Sequence, residues 1–85
     1  MTVDEFNDKY DEYLEPGHYG LVVDNDNVIK FLDAIFQDLI KIQGFQYSQI
    51  KMKFNYSRFY ANGISSELQR VIESKINKIV GTEWL

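Results

Sequence analysis

Ile50-Lys51-Met52-Lys53-Phe54-Asn55-Tyr56-Ser57-Arg58-Phe59-Tyr60-Ala61 is the stretch on which the fold turns. Ile50, Met52 and Phe54 alternate with Lys51, Lys53 and Asn55, the two-residue period of a strand with one buried face. Arg58-Phe59-Tyr60-Ala61 alternates in the same way. Pairing Phe54 with Phe59 sets Met52 opposite Ala61 on one face and Lys53 opposite Tyr60 on the other. Both strands then agree on the core side, which supports this register. The expectation is a β-hairpin over residues 49–61 with the loop Asn55-Tyr56-Ser57-Arg58.

Helical patterns flank the hairpin. Upstream, Val28, Phe31, Leu32, Ile35, Phe36, Leu39 and Ile40 follow helical spacing, so a central helix is expected over residues 24–43. Asp24 or Asn25 caps its start, and Gly44 stands where a left-handed C-terminal cap belongs. Downstream, Asn62-Gly63 makes a turn and Ser65 or Ser66 opens a helix over residues 65–80. Leu68, Val71, Ile72, Ile76, Ile79 and Val80 form its stripe, and Gly81 stops it. At the N-terminus, Thr2 and Glu5 form a capping box for an acidic helix within residues 1–15, running from Val3 to Leu14. Pro16-Gly17 ends it. His18 to Val23 reads equally as a strand or an extended linker.

The element order α-(β)-α-β-β-α gives an α+β fold, amphipathic helices packed on a small antiparallel sheet. The 85 residues suffice for a single domain, residues 1–85. The expected core is Leu32, Ile35, Phe36, Leu39, Ile50, Met52, Phe54, Phe59, Leu68, Val71, Ile72, Ile76 and Ile79.

Composition excludes several functions. With no cysteine there is no disulfide scaffold, thiolate zinc site or Cys nucleophile. No apolar run reaches the ~18 residues of a membrane span. The acidic start MTVDEFNDKYDEYLE has no signal-peptide pattern, so a cytoplasmic protein is expected. The net charge of −4 is unevenly spread. Residues 1–26 carry eight acids against Lys9 alone, whereas residues 27–85 carry five acids and eight bases. This predicts an acidic face or arm on a mildly basic body.

The run Gln49-Ile50-Lys51-Met52-Lys53-Phe54-Asn55-Tyr56-Ser57-Arg58-Phe59-Tyr60 resembles the centre of a family of small, uncharacterised bacterial and phage proteins. Their shared stretch reads approximately QIKxKFGxxRFY between two amphipathic helices. Gln49, Ile50, Lys51, Lys53, Phe54, Arg58, Phe59 and Tyr60 match it, and with the helices the similarity covers residues 28–80. Asn55 replaces the family's usual Gly; Asn also tolerates a left-handed turn. Members often continue into a Cys-rich, zinc-binding tail, and a function residing there does not carry over to a sequence without cysteine. The resemblance implies a phage or mobile-element origin and a helix–hairpin–helix core, and no activity.

Each candidate site has an ordinary structural alternative. Asp24-Asn25-Asp26-Asn27 opens like a calcium loop, but Val28, Ile29 and Ile35 occupy positions where such a loop needs a ligand, Gly and Glu, so helix capping is expected. His18, the one histidine, has no nucleophile or carboxylate nominated by the sequence. Asn55-Tyr56-Ser57 matches a glycosylation acceptor but reads as a turn. No catalytic, cofactor or metal residue is assigned, and no enzymatic activity is expected.

Lys51, Lys53, Arg58 and Tyr60 share the hairpin's outer face. Three cations on an acidic domain are few, so direct nucleic-acid binding is not expected. An exposed face whose lysines discourage edge pairing, or one covered by the acidic helix, is the alternative. The remaining candidate is the acidic helix itself. Asp4, Asp8, Asp11, Glu12 and Glu15 recur at three- and four-residue steps of about 6 Å per four residues, comparable to successive phosphates. Tyr10 and Tyr13, with Phe6 and Trp84, are its candidate apolar contacts. The expectation is a phage-type accessory protein that docks onto a protein with a basic groove, such as a host defence or nucleic-acid-processing protein. A plain structural module or homo-oligomer competes with that reading, and a small carboxylate enzyme ranks below it.

Overall fold

The computed structural model describes residues 1–83, with the side chains of Thr82 and Glu83 left undescribed. The chain runs α1 (Val3–Lys9), a 3-10 turn (Asp11–Tyr13), β1 (Gly20–Leu21), α2 (Asp26–Leu39), β2 (Gln46–Lys53), β3 (Tyr56–Asn62) and α3 (Ser66–Glu83). The fold is α+β: three α-helices and a three-stranded sheet of order β1-β2-β3. The sheet is mixed rather than antiparallel. β1 pairs parallel with β2 through Gly20–Gln49 and Leu21–Ile50, and β2 pairs antiparallel with β3. Gly20-Leu21 is thus a strand, and α2 is the crossover that a parallel pair requires.

The hairpin forms in a different register from the expected one. Phe59 lies opposite Ile50, Arg58 opposite Lys51, Ser57 opposite Met52 and Tyr56 opposite Lys53. The turn is therefore Phe54-Asn55, both left-handed, with φ of 52° and 69°. A two-residue turn with both residues left-handed matches the twist of its strands, whereas a longer loop has to bulge. The displacement is an even number of residues, so every strand residue keeps its expected face. Phe54 alone leaves the sheet: it is 85 % exposed at the turn tip and is no core residue. Farther along, Ser48 is an extra residue between the Tyr47–Ala61 and Gln49–Tyr60 pairs. That bulge flips the alternation, so that Tyr47 as well as Ile50 enters the core.

Phe36 of α2 is the hub. Its ring lies 4.9–5.4 Å from those of Tyr10, Phe6, Tyr47 and Phe45 and 6.3 Å from Phe59, all tilted or edge-on, the favoured aromatic geometry. Leu32, Leu39, Ile50, Ile72 and Ile76 are buried around it as expected, with Ile35, Met52, Leu68 and Ile79 packed at its margin. Val71 is 46 % exposed, a second departure from the expected core. Phe6, Tyr10, Leu21, Val23, Val28, Ile29, Phe45 and Tyr47 complete the interior.

Helix boundaries also shift. The capping box at Thr2–Glu5 forms, but α1 stops at Lys9 rather than Leu14. The chain must turn there to bring Leu14 beside Tyr47 as a bridge and to let the Glu15 N–H donate to the Tyr47 carbonyl at 2.8 Å. Asn25 caps α2 by accepting from the Val28 N–H at 3.0 Å. Ser65 caps α3 by accepting from the Leu68 N–H at 3.1 Å. α2 ends at Leu39, leaving Gly44 in the turn before β2, and α3 continues through Gly81.

Candidate interaction surfaces

Side chains occupy backbone groups on both outer edges of the sheet. A strand at an edge leaves alternate N–H and C=O groups unpaired, a template for strand addition. On β1, the Asn7 carboxamide takes both groups of Leu21: the Leu21 N–H donates to Oδ1 and Nδ2 donates to the Leu21 carbonyl, each at 2.9 Å. The Tyr47 hydroxyl donates to the same Oδ1 at 3.1 Å. On β3, three residues of α3 do the equivalent. Asn77 Oδ1 accepts from the Ser57 N–H at 2.7 Å, Glu73 Oε2 accepts from the Phe59 N–H at 2.8 Å, and Gln69 Nε2 donates to the Ala61 carbonyl at 3.2 Å. The Ser57 hydroxyl also donates to the Glu73 carbonyl at 2.7 Å. Glu73→Ala is expected to cost about 1–3 kcal/mol, because it strands a part-buried donor. Ser74→Ala, one position on and exposed, should stay within about 0.5 kcal/mol of the parent in the same thermal melt.

Sequence reasoning missed these polar partners. The signal was present: Gln69, Glu73 and Asn77 recur every four residues along the border of the Ile72–Ile76 stripe.

The acidic candidates are dispersed. Asp4, Asp8, Asp11 and Glu12 are exposed along α1 and the 3-10 turn. Glu15 is half-buried and turned toward the sheet, accepting from the Ser48 hydroxyl at 2.7 Å and the Asn62 amide at 3.5 Å. Tyr10 is 2 % exposed and is no surface anchor. Its hydroxyl donates to Asp33 Oδ1 at 2.5 Å and accepts from Gln37 Nε2 at 2.7 Å. Tyr13 is half-buried against the core, and Trp84 lies outside the described residues. Lys9 pairs with Asp33 at 2.8 Å. The Lys9 ammonium, then the Tyr10 hydroxyl, hold the Asp33 carboxyl below its ordinary range, while burial first and Asp33 second push the Tyr10 phenol up. This polar cluster, with Phe6 in the core, fastens α1 to α2.

Among the described residues, no helix covers the sheet's other face. The helices pack on the side of Tyr47, Ile50 and Phe59. Opposite, cross-strand rows place Gln49 beside Tyr60, Lys51 beside Arg58 and Lys53 beside Tyr56. The acidic helix does not dock there. His18 is exposed, with Nε2 3.9 Å from Glu15 Oε2. Among the described residues no group of three or more His, Asp or Glu side chains is placed to hold a metal ion. No helix among them is long and apolar enough to cross a membrane. No protein-family model matches the sequence, and neither a curated protein nor a solved structure matches it.

Proposed function

We propose that this is a non-catalytic, phage-type accessory protein of the host cytoplasm that docks its acidic N-terminal surface onto a basic groove of another protein. Host defence and nucleic-acid-processing proteins, whose grooves bind phosphate, are the partner class. One observation carries the reading: Asp4, Asp8, Asp11 and Glu12 are exposed on a segment whose underside is fixed by Phe6, Tyr10 and the Lys9–Asp33 pair. Carboxylates held on a rigid base pay less ordering entropy on binding than those on a loose arm. The edge groups taken by Asn7, Gln69, Glu73 and Asn77 favour recognition through faces over strand addition there.

The test is charge reversal with Asp4→Lys, Asp8→Lys, Asp11→Lys and Glu12→Lys together. Glu5 and Glu15 are spared because they cap and brace the fold. Capture of the partner from host lysate should be lost, and capture by the parent should weaken as salt rises from about 50 to 500 mM. A folded quadruple variant that retrieves the same partner removes the acidic surface from consideration. The competing homo-oligomer has its own support in an apolar groove between α2 and α3, lined by Phe31, Ile35, Ile42, Leu68 and Val71. A parent protein that sediments as a dimer and captures nothing would put that reading first.

A further inference from the structure

We infer that the open face of the sheet is a short binding surface for single-stranded nucleic acid, separate from the acidic docking surface. The face combines the two features such surfaces need, stacking platforms and cations along one groove or strip. Tyr56 and Tyr60 of β3 are 61 % and 45 % exposed. Arg58 lies between them on the same face, and Lys51 and Lys53 lie across from Arg58 and Tyr56. Lys51 Nζ sits 5.9 Å from the centre of the Tyr60 ring, so the ring carries a cation at its face.

Geometry favours an extended strand over an acidic peptide. Tyr56 and Tyr60 are four strand residues apart, about 13 Å, with Arg58 midway. An extended single strand crosses that distance in about two nucleotides, placing a base on each ring and a phosphate near the guanidinium. An acidic peptide would use the cations and leave the tyrosines idle. The net charge of the chain does not decide the matter, because the acids are segregated. Asp4 and Asp8 belong to α1, with Asp4 near Val22 and Asp24 on the far side of β1, and Glu15 bounds the strip at its Ser48–Asn62 end. The turn end, with Lys51, Lys53 and Arg58, is cationic.

The sequence argued against nucleic acid because three cations are few. The structure changes the weight of that count. It puts no described helix over the face and moves Tyr56 from the expected loop into β3, where it becomes a second platform.

The experiment is fluorescence anisotropy with fluorescein-labelled dT12 and U12 against the full chain at 20 mM salt, with a 12-base-pair duplex and poly-glutamate as competitors. Both labelled strands should bind. The plot of log affinity against log salt should have a slope of about −2, since each of three cations contributes about −0.7 on single strands. Tyr56→Ala and Tyr60→Ala should each weaken binding about tenfold, and Tyr60→Phe should retain it because the ring is kept. Lys51→Glu with Arg58→Glu should abolish it in a variant that still melts cooperatively, less the Arg58–Ser57 hydrogen bond and the Lys51–Tyr60 contact. No binding at 20 mM salt, binding indifferent to loss of the rings, or displacement by poly-glutamate as effective as by unlabelled dT12 would each overturn the inference. The last would make the strip an acidic-peptide surface.

Discussion

Phe36→Ala should lower the melting temperature by at least about 12 °C and is expected to leave part of the population unfolded at 37 °C. Truncating a buried Phe costs about 3–5 kcal/mol when the surroundings cannot collapse into the space. Here they cannot collapse easily, because the ring lies against five others contributed by α1, the 3-10 approach, the turn before β2, β2 itself and β3. Each ring is held by its own element, so no single shift fills the hole. In a domain of this size each kcal/mol moves the midpoint by about 4–8 °C. Total stability of such domains is only about 5–15 kcal/mol, so the loss is a large share of it. A variant that melts within about 2 °C of the parent would show that Phe36 is not the hub.

Gly63→Ala should be as damaging, for a different reason, and Gly17→Ala separates the two contributions. Both glycines are left-handed, with φ of 86° and 84°. A Cβ on Gly17 meets nothing within 4 Å, whereas one on Gly63 lies 2.6 Å from the Gly44 carbonyl oxygen and 2.8 Å from the Phe45 nitrogen. Those are backbone atoms of the segment leading into β2 and cannot swing aside. Gly17→Ala therefore carries only the left-handed penalty, about 1–2 kcal/mol. Gly63→Ala adds the displacement of two loops that hold Phe45 in the core, and a total above about 3 kcal/mol is expected. Equal melting temperatures for the two variants would mean that the close approach of Gly63 to Gly44 is not maintained in solution.

Much of the fold was legible because hydrophobic period is local. The stripe of α2, the capping residues Thr2, Asn25 and Ser65 and the two faces of the hairpin can be read from neighbours in sequence. What escaped reading depends on distant partners. A bulge at Ser48 breaks the alternation that would have announced Tyr47. A left-handed Phe is rare, so periodicity alone places Phe54 inward with its strand. The short α1 ends where Leu14 must reach Tyr47, a contact thirty-three residues away and invisible to periodicity. For the candidate surfaces, charge segregation was readable, since acids are counted along the chain. The burial of Tyr10 was not, because its stripe suits core and contact equally, and Asp33 and Gln37, which claim its hydroxyl, belong to another helix.

The contacts between α3 and β3 work as a vernier. A helix advances about 6.0 Å in the four residues separating Gln69, Glu73 and Asn77. A strand advances about 6.7 Å in the two residues separating Ala61, Phe59 and Ser57. The two scales nearly coincide, so three successive marks can align at once, with a drift of about 1.4 Å that side-chain torsions absorb. Sliding the helix by one residue would move it about 1.5 Å and rotate all three marks off the strand together. The same slip would swing the buried Ile72 and Ile76 out of the core, so the apolar stripe and the three graduations select one register. The polar border of α3 thus shares in fixing axial position, and the greasy stripe beside it also supplies adhesion.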